Sequence, residues 1–380
     1  MTNWCRKSIF TLITIALLLV TLVLNASEWA YFFEVIYFRG FYQLLRLLLD
    51  HTLLRVNFPL VWIVFPAVLI AAVWYVLVKK VEHKTSPIIC RVSRLGVVFC
   101  WLVILFYWLW GFNYQKKGLS PDDDFFTISK EELYSEAVSI IEIINKHRAR
   151  ISNNSAPLTP DYDYLQMESK VRQSIKEVIS LWDIPVSGRV RAKALKPPGN
   201  LLRLSTLGIY MPFTGESYYD AGVSDLQVPF IMAHEMAHGY GFTDEGECNF
   251  LGVIACLRSD DEFIFYSGLL AYWRYLASAI KKLDIQMFEG LLFCRSELVR
   301  LDHEDILSSF NAYPELFTAV RDKIYDFYLK KHGIKAGMAS YGIVVNRMMS
   351  LRQGGKVSYG DIKIDGSELL DKITNRKNFE

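Results

Sequence analysis

Three apolar runs, at residues 9–24, 58–78 and 95–110, mark the first third of the chain, and none of them contains a charged residue. At about 1.5 Å per residue, each run predicts a helix able to cross roughly 30 Å of hydrocarbon. Pro59 and Pro66 are tolerable in such a helix. Trp74, Tyr75, Trp108 and Trp110 stand near run ends, where an interfacial aromatic belt is expected. The first run follows Arg6 and Lys7 like a signal peptide, but further runs come after it, so it is read as a retained span. Residues 29–54 differ. They are aromatic and Leu-rich but interrupted by charge, as in Tyr42-Gln-Leu-Leu-Arg-Leu-Leu-Leu-Asp50, which predicts an amphipathic helix lying in the interface rather than a fourth crossing.

Beyond Ser120 the pattern becomes that of a globular domain. Ser129-Lys-Glu-Glu132 is a capping box that opens a helix reaching about Ala149. Residues 153–160 are polar and turn-rich, and a second helix is expected over 162–182. Residues 188–195 alternate and read as a strand, 206–213 read as another, and 228–352 read as a series of helices. The expected fold class is α+β and mostly helical. Residues 1–114 form a membrane domain with three transmembrane helices, and residues 115–380 form a second domain with a small sheet before its helices.

Charge orients the chain. Arg6 and Lys7 precede the first span, and Lys79, Lys80, Lys84, Arg91 and Arg94 separate the second from the third. Arg39, Arg46 and Arg55, between the first and second, are offset by Glu28, Glu34 and Asp50. The positive-inside rule then puts the N-terminus and the 79–94 loop in the cytoplasm and the C-terminal domain outside, giving a multi-pass cell-membrane protein in contact with the lipid bilayer. The 52% hydrophobic content fits membrane segments. With a net charge of +2 and no basic stripe to track phosphates, a nucleic-acid partner is excluded. None of the six cysteines forms a CxxC pair, which argues against a cysteine-zinc or thioredoxin-like site, and their scatter is not that of a disulfide framework.

Chemistry concentrates in His234-Glu-Met-Ala-His238, an HExxH sequence. On a helix the two imidazoles lie one turn apart on one face, where both can reach one Zn2+ at about 2.0–2.1 Å. Glu235, beside the first histidine, can act as general base on a water activated by the metal. The bland alternative is a buried helix whose histidines bond to backbone, but two histidines and a glutamate buried together need partners. A catalytic zinc needs a third protein ligand, and Asp244, Glu245 and Glu247 follow at once. A second helix is expected from here through Cys256. On it Glu245 and Asn249 share a face, so Asn249 can bond a ligating histidine. Glu247 falls at the third position of a capping box with Asp244 as cap. Asp244 completes HExxHxxGxxD, a pattern that resembles the short-spaced metzincin-type motif.

The stretch from His234 to Leu251 resembles a family of bacterial membrane proteins known as domain of unknown function 3810. Pro212-Phe-Thr-Gly-Glu216, Tyr266-Ser-Gly268, Trp110-Gly-Phe-Asn-Tyr114 and Ser340-Tyr-Gly342 are similar to that family as well. The resemblance implies a zincin-like, gluzincin-like zinc peptidase acting on a peptide or protein substrate. It makes Glu245 the third ligand ahead of Glu247 and Asp244, with Asn249 behind it. The chain departs from the family pattern at Cys248, where alanine is usual, and at Asp244 and Gly246. Tyr240, Tyr266, Tyr341 and His303 are candidates for stabilising an oxyanion, and the 206–213 strand is a candidate edge for pairing with substrate backbone. Met338 with Tyr341 faintly resembles a Met-turn. The alternative function is a catalytically silent zinc-binding sensor or scaffold.

Overall fold

The structure, a computed structural model, describes residues 3–26, 29–52, 56–78, 86–121, 128–316, 340–352, 356–359 and 362–365. It divides into two compact units, Met1–Lys116 with Met211–Glu216, and Lys117–Tyr210 with Ser217–Glu380.

The first unit contains α1 (Asn3–Ala26), a π-helical segment (Phe32–Tyr42) that runs into α2 (Gln43–Thr52), α3 (Val61–Val73) and α4 (Pro87–Leu109). Three stretches, Ile9–Ala26, Val61–Val78 and Pro87–Leu109, are long and apolar enough to cross a membrane. The last begins well before the apolar run, because Pro87 sits in its first turn, where a missing N–H costs nothing. Arg91 and Arg94 therefore belong to the helix, and Arg94 donates to the Tyr75 carbonyl at 3.2 Å. Lys79, Lys80 and Lys84 lie outside the described residues.

The segment expected to lie in the interface is helical, but its charges are turned differently from a solvated face. Phe33, Tyr37, Tyr42, Arg46 and Asp50 share a stripe, and all five are buried, whereas Tyr31, Ile36, Leu44 and Leu48 point outward. Arg46 bonds Asp50 at 2.8 Å and the Gly215 carbonyl at 2.7 Å, so the ion pair is both neutralised and hydrogen-bonded. Glu216 accepts from the Leu60 N–H at 2.9 Å, at the start of α3, where a carboxylate complements the helix dipole. The Pro212–Glu216 motif supplies both of these contacts, with Gly215 in the left-handed region at φ +68°.

The second unit begins with β1 (Ser120–Pro121) and α5 (Lys130–Ile151), whose capping box between Ser129 and Glu132 is formed as expected. There follow α6 (Tyr164–Ser180), β2 (Ala192–Leu195), β3 (Gly208–Met211) and β4 (Glu216–Asp220). Then come α7 (Val228–Gly239), α8 (Glu245–Arg258), α9 (Glu262–Leu283), α10 (Ile285–Phe293), α11 (Glu297–Asn311), α12 (Ser340–Arg352), β5 (Lys356–Tyr359) and β6 (Ile362–Asp365). One sheet has the order β2-β4-β3, with β2 and β4 parallel; the other is β1-β5-β6, antiparallel throughout. The pattern predicts neither the second sheet nor β4, whose sequence Glu-Ser-Tyr-Tyr-Asp is polar yet buried along its length. Its polar atoms are consumed inside. Ser217 Oγ donates to the Glu235 carbonyl at 2.8 Å, and the Asp220 carboxylate accepts backbone N–H groups of Gly199, Leu201, Leu202 and Gly222.

Elsewhere in this unit a fully buried ion pair ties α5 to α11. Asp302 accepts from Arg148 Nε at 2.7 Å, from the Tyr266 hydroxyl at 2.7 Å and from the Leu158 N–H at 2.9 Å.

Candidate metal centre

Pro229 sits in the first turn of α7, and the helix is buried along nearly its whole length. It ends at Gly239, and Gly241 at φ +95° turns the chain so that the Phe242 N–H returns to the Ala237 carbonyl at 3.1 Å. Asp244 then caps α8, its side chain accepting from the Glu247 N–H at 2.9 Å. The two helices approach closely at Gly252. A Cβ there would lie 3.1 Å from the Phe230 ring and 3.3 Å from the His234 nitrogen. This reversal carries Glu245, the first residue of α8, back toward the histidines of α7.

The Glu245 carboxylate spans both imidazoles, Oε2 standing 3.3 Å from His234 Nε2 and Oε1 standing 3.7 Å from His238 Nε2. The two rings are nearly perpendicular, with centroids 4.9 Å apart. Ligand atoms bound at about 2.0–2.1 Å to one tetrahedral ion lie roughly 3.3–3.4 Å from each other; the contact to His234 equals such an edge and the contact to His238 is somewhat wider. His234, Glu235 and His238 also offer ligand atoms within 4.8 Å of one another. Of the two carboxylates Glu245 is nearer to His234, since Glu235 Oε1 is 4.0 Å from His234 Nε2.

Protonation supports the same fit. His238 Nδ1 is 2.9 Å from the Phe242 carbonyl, which can only accept, so that nitrogen carries a proton. In the neutral ring Nε2 is then a lone pair facing a carboxylate, an arrangement that calls for a positive charge between them. A proton meets that need when no metal does. Burial works against a charged His238, but Cys248 and the Glu245 carboxylate outweigh it and hold the imidazole well above its usual range. Burial likewise pushes Glu245 up, and the His238 and His234 imidazoles overcome it, leaving the carboxyl well below the usual range. His234 Nδ1 is buried without a hydrogen-bond partner among the described residues, so this ring is oriented by packing against Phe230 and His238.

Glu235 is buried, and burial raises its carboxyl above the ordinary value against the pull of both imidazoles. It accepts from the Tyr210 backbone N–H of β3. Gly208 makes room for this contact, because a Cβ there would lie 2.7 Å from Glu235 Oε1 and 2.8 Å from its Cγ.

The other two acids near the motif are engaged elsewhere. Asp244 is the cap of α8, and Glu247 accepts from the Leu119 N–H at 2.6 Å. Asn249 is half-buried, and the bond to a histidine expected of it comes instead from the Phe242 carbonyl. Cys248 joins it, with Sγ 3.3 Å from His238 Nδ1; burial pushes this thiol up to about 12 against the pull of the His238 imidazole. Of the oxyanion candidates, Tyr266 is committed to Asp302, His303 Nδ1 donates to the Val299 carbonyl at 2.9 Å, and Tyr240 is buried beside Arg172. Met338 and the Tyr341 side chain lie outside the described residues. Phe242, Cys248, Gly208 and Tyr210 carry no motif. The one available signal was Gly208, a lone glycine inside a strand pattern, which marks a close approach.

The family described as "Protein of unknown function (DUF3810)" matches residues 37–349. No curated protein and no solved structure matches the chain.

Proposed function

Taking as premise that the chain belongs to the DUF3810 family, we propose that it is a membrane-anchored zinc metallopeptidase with a zincin-like domain on the outer side of the membrane. The observation that carries this is the placement of the Glu245 carboxylate across Nε2 of both His234 and His238, at 3.3 and 3.7 Å. Those three residues would hold the metal, and two histidines with one glutamate form a donor set suited to catalytic zinc. When bound, zinc supplies Lewis acidity toward a peptide carbonyl and toward solvent.

The chain's own part begins with Glu235. Its carboxylate takes the proton of the attacking water and delivers it to the departing amine. The Tyr210 N–H fixes that carboxylate in place. β3 lies at the end of its sheet order, the position from which a strand can pair with an extended peptide. Phe242 holds His238 in the tautomer whose Nε2 faces the metal position.

The test is to purify the full chain without chelator and measure zinc per chain and hydrolysis of a peptide library. About one zinc is expected, because HExxH with one acid makes one site. Glu235→Gln is expected to keep the metal and lose hydrolysis; a variant as active as the parent overturns the mechanism. A second reading, a catalytically silent zinc-binding sensor or scaffold, draws support from the commitment of Tyr266 and His303 to other partners. Zinc bound without turnover on any peptide would favour it.

A further inference from the structure

We infer that Gly118 and Leu119, which lead into the second unit, position the metal ligand Glu245 by way of Glu247; this rests on Glu245 being a ligand. Asp244 caps α8 by taking the Glu247 N–H, and a full capping box would turn the Glu247 carboxylate back toward Asp244. The carboxylate goes elsewhere. Buried beneath α8, its Oε1 accepts from the Leu119 N–H at 2.6 Å. Arg347 Nη2, from α12, donates to the carbonyl of the same residue at 2.8 Å. One residue is thus gripped on its donor by an anion and on its acceptor by a cation, and both bonds are charge-assisted.

Gly118 makes the grip possible. A Cβ at this position would lie 2.5 Å from Glu247 Oε1 and 3.5 Å from its Cδ, so any other residue displaces the carboxylate or the segment. Arg347 also spreads over the Phe250 ring at 5.6 Å, which ties α12 to the turn of α8 just after Glu247.

The consequence for the site is geometric. Glu245 and Glu247 share the first turn of α8, one facing the histidines and the other holding Leu119. Two imidazoles must be met by one carboxylate, and catalytic or binding groups tolerate only about 0.5 Å of misplacement. A shift of the Gly118–Leu119 segment moves this turn as a unit and takes Glu245 off its position. Leu119 follows the end of α4 at Leu109 by ten residues in the chain.

The experiment uses the full chain in detergent, with Gly118→Ala and Glu247→Gln. Zinc affinity is measured by competition with a chromogenic chelator, coordination by the visible spectrum of Co2+-loaded protein, and folding by the melting temperature in excess chelator. Expected are zinc affinity about 10–100-fold weaker and an altered Co2+ spectrum, as for loss of an outer-shell partner, in protein that still melts cooperatively. Should Gly118→Ala fail to fold, Glu247→Gln decides, since it keeps the volume and removes the charge from the bond to Leu119. Parental affinity and spectrum in the folded variants overturn the inference. Parental protein that binds no zinc overturns the proposed function instead, which separates the two failures.

Discussion

Two clusters of buried ionisable groups in the second unit have opposite designs. Around Asp302 each carboxylate oxygen meets a donor: Arg148 and Tyr266 at 2.7 Å and the Leu158 N–H at 2.9 Å. Around Glu245 the contacts are longer, at 3.3 and 3.7 Å, and the facing atoms are imidazole nitrogens, of which His238 Nε2 is a lone pair in the neutral ring. The first cluster is complete in itself and holds α5, α9 and α11 together. The second brings one carboxylate to two imidazoles without a bond as short as those around Asp302, which is the arrangement the proposed metal would occupy. The two clusters differ in the separation of their atoms.

Breaking each cluster should produce different losses. His238→Ala is expected to reduce bound zinc from about one per chain to none and to abolish hydrolysis, because three protein ligands are the norm for a catalytic site; elemental analysis and a peptide assay check it. Arg148→Met should cost about 3–5 kcal/mol of stability by stranding Asp302, with zinc content of the folded fraction unchanged; denaturant unfolding reads this. Gly208→Ala should leave zinc in place while slowing hydrolysis by roughly 10–100-fold, because it displaces the Glu235 base, whose general-base contribution is about 10²–10⁴-fold; a kcat loss with little change in metal content is the signature.

The pH dependence sharpens the contrast further. In the metal-free chain His238 is held above its ordinary value, so it is protonated in a window above the ordinary imidazole value of 6.5 and must release a proton to bind metal. Zinc affinity should then rise with pH through that window, with proton release detectable by calorimetry in buffers of different ionisation enthalpy. The sign for stability is the reverse. The folded metal-free chain binds more protons at His238 than the unfolded chain, so His238's contribution is present below 6.5 and is lost as pH rises through the raised value. The smallest effect is expected of Cys248→Ala. It leaves the Phe242 carbonyl on His238 and should weaken zinc by less than the roughly 10-fold typical of losing a sole outer-shell partner.

The spans were legible because a long apolar run has few other uses, and the α7 motif because two histidines and a glutamate at helical spacing rarely coincide by chance. The capping box of α5 was legible for a local reason, since its partners are three residues apart. What escaped depends on distant partners. β4 reads as polar because Ser217 and Asp220 are satisfied by backbone groups elsewhere in the fold. The inward turn of Arg46 and Asp50 was hidden because a paired charge and a solvated one look alike in a sequence. The bond to His238 passed to the Phe242 carbonyl, and a backbone acceptor carries no residue signature at all.

The pairing of Arg46 with Asp50 also bears on how the first unit is assembled. The two are four residues apart, so a single turn of helix brings the charges together. The other bond of the same guanidinium waits for the Gly215 carbonyl, 169 residues downstream. One arginine thus ties a carboxylate of its own helical turn to a backbone group far along the chain, so the neutrality of this apolar segment and its attachment to the Pro212–Glu216 motif depend on the same side chain.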